Sequence, residues 1–179
     1  MSVLGHVAIG VVVARRSTPS DAPSELTATR MIWLAALALL PDSDLVIHEF
    51  LPDVSAFDHR GATHSLAVAV VVGILVGLAL AAAQAEHPVR WAIIAALVVA
   101  SHGLMDTIGD SSLGVQLLWP FSDARILAPW HLLPDPSLER PFLTNVYGKL
   151  AMEAVLFLPA WLYAFWPRSR WPWSRKERA

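Results

Sequence analysis

Apolar residues in this chain come in long blocks, not in alternation, which is the pattern of helices buried on most sides. The block from Ser65 to Ala83 carries no charge and is about long enough to cross a bilayer core of ~30 Å. A polar turn, Gln84–Pro88, separates it from a second apolar run, Val89 to Met105, and so short a connection predicts an antiparallel helical hairpin. Lys149 to Trp166 forms a third run, interrupted by Glu153 and by Pro159, whose missing N–H predicts a kink. Val3–Ala14 and Met31–Leu40 are short for full spans and predict half-buried helices packed on the others. Ser17 to Ala28, rich in Ser, Thr and Pro, reads as a linker, and 41–63 and 107–148 as long connections where Gly, Pro and Asp collect. The chain shows no internal repeat. The expected fold is all-α: a polytopic helical membrane bundle of about five apolar helices with a polar site at one end. Residues 1–166 form one membrane domain and 167–179 a basic, Trp-rich tail.

Composition sharpens this picture. Hydrophobic residues make up 55% and charged residues 16% of 179 positions, too apolar for an ordinary soluble domain. A net charge of -2 with no extended basic patch gives no case for a nucleic-acid partner. Cysteine is absent, so any metal must be held by imidazole and carboxylate. No Lys or Arg precedes the first apolar run, and Arg15–Arg16 follow it, so that run is expected to be retained and not cleaved as a signal.

Charge also orients the bundle. If each apolar run crosses in turn, one face receives Arg60, Arg125, Arg140 and Lys149, and the other receives nine basic residues from Arg15 to Arg178. The nine-residue face is then cytoplasmic, as is the C-terminus, whose Trp166, Trp171 and Trp173 among basic residues suit an interfacial anchor. Eleven of the 15 acidic residues gather on the opposite, outer face.

Chemistry concentrates there. His102 and Asp106 stand four apart at the end of an apolar helix, so one rigid element offers a nitrogen and an oxygen donor on one face. Alone, such a pair is more often a local hydrogen bond. Pro41-Asp42-Ser43-Asp44 ends another apolar run with two carboxylates, as cation donors or as helix caps. His59-Arg60-Gly61-Ala62-Thr63-His64 leads into the longest run; imidazole ligates metals or carries protons, and Arg60 can clamp an anion in bidentate fashion. His6 lies near the start of the first run, and Glu153 one turn inside the last, where an unpaired carboxylate is costly. His48 reads as a surface residue, and His87 and His131 as loop residues without a role. His6, Asp42, Asp44, His64, His102 and Asp106 are the expected metal ligands, with His59, Arg60 and Glu153 as catalytic candidates. The donors exceed one tetrahedral site, which implies two metals or one metal with outer carboxylates orienting the imidazoles.

In order, Gly5-His6, Pro41-Asp42-Ser43-Asp44, His59-Arg60-Gly61-Ala62-Thr63-His64-Ser65, Ser101-His102-Gly103-Leu104-Met105-Asp106 and Leu118-Trp119-Pro120-Phe121 resemble the YdjM-like family of membrane-bound metal-dependent hydrolases, described as LexA-binding and inner-membrane-associated. The resemblance covers Met1 to Phe121, with Glu153 as an extension. It implies a bacterial or archaeal inner-membrane protein with a hydrolase label, and LexA as a partner on the strength of the resemblance alone. The His-xxx-Asp spacing is also similar, more loosely, to the all-helical zinc-dependent phospholipase C fold.

The expected activity is hydrolysis by water activated on one or two divalent ions, zinc first and manganese or iron as alternatives, with a phosphoester such as a lipid headgroup as substrate. His59 would carry protons and Arg60 would clamp the anion. Three rivals stand beside this reading: an ion-coupled carrier, a haem protein ligated by His64 and His102, and a non-catalytic scaffold locked by metal. A carrier would place its polar groups at the membrane midplane, whereas here they fall at helix ends.

Overall fold

A computed structural model describes residues 3–50, 58–109, 113–130 and 142–167. His131, Asp53 and the tail from 168 onward, with Trp171 and Trp173, lie outside the described residues. Among the described residues the architecture is helical, with a lone antiparallel bridge between Val115 and Ile126.

The first apolar run forms α1, Val3–Ser17, which buries Gly5, His6, Ala8, Gly10, Val11 and Ala14 on one face. This face packs on α2, Ser24–Leu39. A Cβ at Gly10 would stand 2.6 Å from the Leu34 carbonyl, so glycine is what lets the two backbones approach. α2 begins inside the segment expected as a linker. The reason is local: Thr27 and Thr29 return their hydroxyls to the carbonyls of Pro23 and Glu25, at 3.3 and 2.8 Å, which satisfies the polar side chains on the helix itself. The chain continues through a 3-10 turn, Leu40–Ser43, into α3, Asp44–Phe50. Pro41 sits in the first turn of that 3-10 segment, where its missing N–H costs nothing.

A second 3-10 turn, Ala62–His64, leads into α4, Leu66–Ala82, capped by Ser65, whose Oγ accepts from the Val68 N–H at 3.1 Å. α5, Pro88–Asp106, follows after the short turn and packs along α4, as the predicted hairpin requires. The last run is broken as Pro159 predicts, into α6, Phe142–Leu156, and α7, Leu158–Phe165, with α7 packed on α1.

The helical class expected from the sequence is found, but a polytopic bundle of about five membrane helices is not confirmed. Among the described residues two helical stretches are long and apolar enough to cross a membrane, Ser24–Phe50 and Pro88–Asp106. α1 and α4, at 15 and 17 residues, reach about 22 and 25 Å at 1.5 Å per residue, short of the ~30 Å core. The expected Ser65–Ala83 span is thus a shorter helix, whereas the Ser24–Phe50 stretch is longer than the run seen in the sequence.

The core is small, built on Ala14, Leu34, Ala38 and Val98. Large apolar side chains of α4 and α5 instead face outward: Val70, Ile74, Leu75, Leu78, Ile93 and Leu97 are each more than half exposed, the arrangement that lipid, not water, solvates at no cost. The start of α1, the end of α2, the start of α4 and the end of α5 meet at one end of the bundle, joined there by side-chain contacts. The polar site sits at that end.

Candidate metal centre

Four side chains from three elements converge at this end: Asp42 from the first 3-10 turn, His64 from the second, and His102 and Asp106 from the last turn of α5. One donor atom from each lies within 4.8 Å of the other three. The measured separations are 3.3 Å for His102 Nε2 to Asp42 Oδ1, 3.6 Å for His64 Nε2 to Asp42 Oδ1, 3.5 Å for His64 Nε2 to Asp106 Oδ2 and 3.8 Å for His102 Nε2 to Asp106 Oδ2. Ligands bonded at 2.0–2.1 Å to a tetrahedral ion stand about 3.3–3.4 Å apart. The set is therefore a slightly open version of a metal cradle.

The same four atoms, Asp42 Oδ1, His64 Nε2, His102 Nε2 and Asp106 Oδ2, are buried and make no hydrogen bond among the described residues. Buried polar atoms are nearly always partnered, because leaving one bare costs about 1–3 kcal/mol. Four such donors aimed at one point, with the Arg60 Nε 3.3 Å from Asp106 Oδ2, fit a cation.

The opposite nitrogen of each imidazole explains why Nε2 faces inward. His102 Nδ1 donates to the Ala38 carbonyl at 2.7 Å. Nδ1 of His64 stands 3.0 Å from the Thr63 hydroxyl and 3.3 Å from Asp44 Oδ2, and that hydroxyl itself donates to Asp44 at 3.2 Å. Carboxylate or carbonyl partners of this kind fix the tautomer of ligating histidines. Burial works to lower the pKa of His64, but the close carboxylates of Asp106, Asp42 and Asp44, at 3.3–3.6 Å, outweigh it and push the imidazole up to about 10.

Close approach of α5 to the second 3-10 turn is what brings His64 beside His102. A Cβ on Gly103 would collide with the His64 carbonyl, so only glycine permits the contact. The 113–130 segment holds the turn from outside: Gln116 N–H donates to the Arg60 carbonyl at 3.0 Å and Leu66 N–H to the Leu117 carbonyl at 3.0 Å. Neither clamp has a pattern in the sequence that would single it out.

The remaining expected site residues fall around this core. Asp44, fully buried, belongs to a second group with His59 and His64 and is heavily engaged: it accepts from the Arg60 N–H at 2.9 Å, from Thr63, and pairs with His59 Nδ1 at 3.2 Å. His6 stacks on His102 with ring centroids 3.6 Å apart and donates from Nε2 to Asp106 Oδ1 at 3.2 Å. Arg60, expected as an anion clamp, is 1% exposed and aims Nε at Asp106 Oδ2, 3.3 Å away, with its backbone at a positive φ of 65°. Glu153 lies outside both donor groups; its Oε2 accepts from the Leu4 N–H at 3.0 Å, satisfying one of the open donors of the first turn of α1. His59 is the partly open member, with its side chain 28% exposed. His48 pairs loosely with Asp58 on the surface, 3.7 Å away, and His87 forms the left-handed turn before α5.

A family profile described as YdjM inner membrane protein matches residues 1–174. The chain belongs to the YdjM inner membrane protein family. A relative within reach of this match, inner membrane protein YbcI of Escherichia coli (strain K12), is 30% identical over 148 residues, covering 82% of this chain and 83% of its own length. No solved structure matches. Membership bears out the resemblance read from the motifs, and it makes the lipid bilayer the environment of the exposed apolar faces of α4 and α5. The YdjM description names a location and no reaction.

Proposed function

We propose that this YdjM-family protein is a metal-dependent hydrolase that binds one divalent cation between Asp42, His64, His102 and Asp106, at the outer face of the membrane. The observation that carries the reading is the convergence of four buried donor atoms without a hydrogen-bond partner, within 4.8 Å of one another. Two nitrogen and two oxygen donors suit zinc, and also manganese or iron. Asp42, His64, His102 and Asp106 would hold the ion, which when bound would supply Lewis acidity and activation of water near neutral pH.

The chain's own residues divide the remaining work. Asp44 and the Ala38 carbonyl orient the two imidazoles; Arg60 and His6 hold the carboxylate of Asp106; His59, at the opening and braced by Asp44, moves protons between the site and water. Arg60 acts here as a positioning residue, since its guanidinium is enclosed. The side of the cradle towards Asp42 and His59 is the more open one, at 12% and 28% side-chain exposure, and is where a phosphoester headgroup would enter. The basic-residue asymmetry between the two ends supports an orientation with the C-terminus in the cytoplasm.

The test is turnover of a chromogenic phosphodiester and of a phospholipid by purified protein, with chelator and metal add-back. Activity that disappears on chelation, returns with metal, and is lost in Asp42→Asn supports hydrolysis. Because three of the four donors are at most 2% exposed, a metal used only to lock the helices is the second reading. It predicts bound metal, a chelator-sensitive melting temperature and no turnover of either substrate.

A further inference from the structure

A second concave feature lies at the opposite end of the bundle, away from the His/Asp cluster. It is a cleft of about 400 Å³ lined by Arg30 and Trp33 of α2, Leu80 in the last turn of α4, Ala85 and Glu86 of the connecting turn, and Trp91 in the first turn of α5. Trp33 and Trp91 meet edge to face with centroids 5.9 Å apart, and the Arg30 guanidinium lies 4.7 Å over the Trp91 ring. One of its terminal nitrogens donates to the Ser17 carbonyl at 3.2 Å, so the cation is held at two points.

Depth narrows the ligand. The stretch able to cross the membrane begins at Pro88, which puts Trp91 roughly 4.5 Å inside that boundary at 1.5 Å per residue. The cleft is therefore at headgroup level, where indole rings with one apolar and one wet side reside. Below it runs the outward apolar surface of Leu78, Ile93 and Leu97, along which acyl chains can lie. The two charges in the lining are one cation, Arg30, and one carboxylate, Glu86.

We infer that this cleft is a binding site for a zwitterionic phospholipid headgroup carrying a phosphodiester and a primary ammonium, such as phosphatidylethanolamine. A guanidinium held over indole keeps N–H groups that a phosphate accepts in bidentate fashion. Glu86 supplies the counter-charge for the ammonium, which a lipid bearing only negative charge would instead meet as repulsion. The site does not depend on the metal centre and stands or falls separately from it.

Native mass spectrometry of the full chain, released from nanodiscs of equal phosphatidylethanolamine and phosphatidylglycerol, tests it. The wild type is expected to retain phosphatidylethanolamine in preference to phosphatidylglycerol. Arg30→Gln should lower lipid retention about tenfold, the loss of one charge-assisted pair. Glu86→Gln changes an exposed side chain, so it leaves the fold intact; it should keep lipid bound but abolish the preference. Arg16→Gln, outside the cleft, should behave as wild type. Retention without headgroup preference in the wild type, or an unchanged preference in Glu86→Gln, would overturn the assignment.

Discussion

The two ends of the bundle handle charge in opposite ways. At the His/Asp end, ionisable groups are buried and compensate one another: Asp106 faces His6, Arg60, His64 and His102 within 3.8 Å. At the other end, Arg15 and Arg30 stay near the surface, donating to the Trp166 carbonyl at 2.7 Å and lying over Trp91. Burial makes each group depend on its neighbours, because an unpaired charge cannot return to water. Surface charges are nearly independent, since water replaces any partner they lose. The comparison predicts that substitutions at the first end cost more than those at the second and also move the metal.

The largest effect is expected for Asp106→Ala. It removes one ion-pair partner of the buried Arg60 guanidinium, 3.3 Å away, and a proposed ligand, at a cost of about 3–5 kcal/mol, read as a lowered midpoint in thermal unfolding in detergent together with loss of bound metal. A midpoint equal to wild type would break the comparison at its strongest point. Gly103→Ala comes next. Its methyl would collide with the His64 carbonyl, so either α5 or the 3-10 turn must move, for about 1–3 kcal/mol, and metal content should fall although no ligand has changed.

Proton competition at His64 follows in size. In the metal-free protein its folded pKa is raised to about 10 from 6.5, so the stabilisation this gives is complete below pH 6.5 and is lost as pH rises towards 10. A cation needs the neutral imidazole. Metal affinity should therefore rise about tenfold per pH unit across this window, with close to one proton released per ion, as measured by calorimetry in buffers of different ionisation enthalpy. An affinity independent of pH would remove His64 from the ligand set. Smallest is Arg15→Ala at the opposite end, expected to cost less than about 1 kcal/mol and to leave metal content unchanged; a larger loss would show that the second end also relies on its charges.

The four converging donors were legible in the sequence because each stands where an apolar run stops, and runs that end together gather what they carry. The division of labour among them was not legible. Asp44 sits two residues from Asp42, yet the 3-10 turn directs one to the donor group and the other behind His64. The stack of His6 on His102 and the capping of α1 by Glu153 join residues that are distant along the chain, and no local spacing encodes them. Helix extent was misread where side chains answer to the backbone: Thr27 and Thr29 look like linker residues but bond within α2, and Pro41 looks like a stop but enters a 3-10 turn that continues into α3. Outward-facing apolar residues on α4 give it the composition of a span without the length.

X-ray absorption spectroscopy on zinc-loaded protein, with metal content measured beside it, tests the central claim most directly. The account predicts one ion per chain, nitrogen and oxygen ligands at about 2.0–2.1 Å with outer scattering from two imidazoles, and loss of the ion in an Asp42→Asn/His102→Ala double variant that retains its helical content. Protein that takes up no metal, or a double variant that binds it as well as wild type, would contradict the assignment of these four residues as a metal centre.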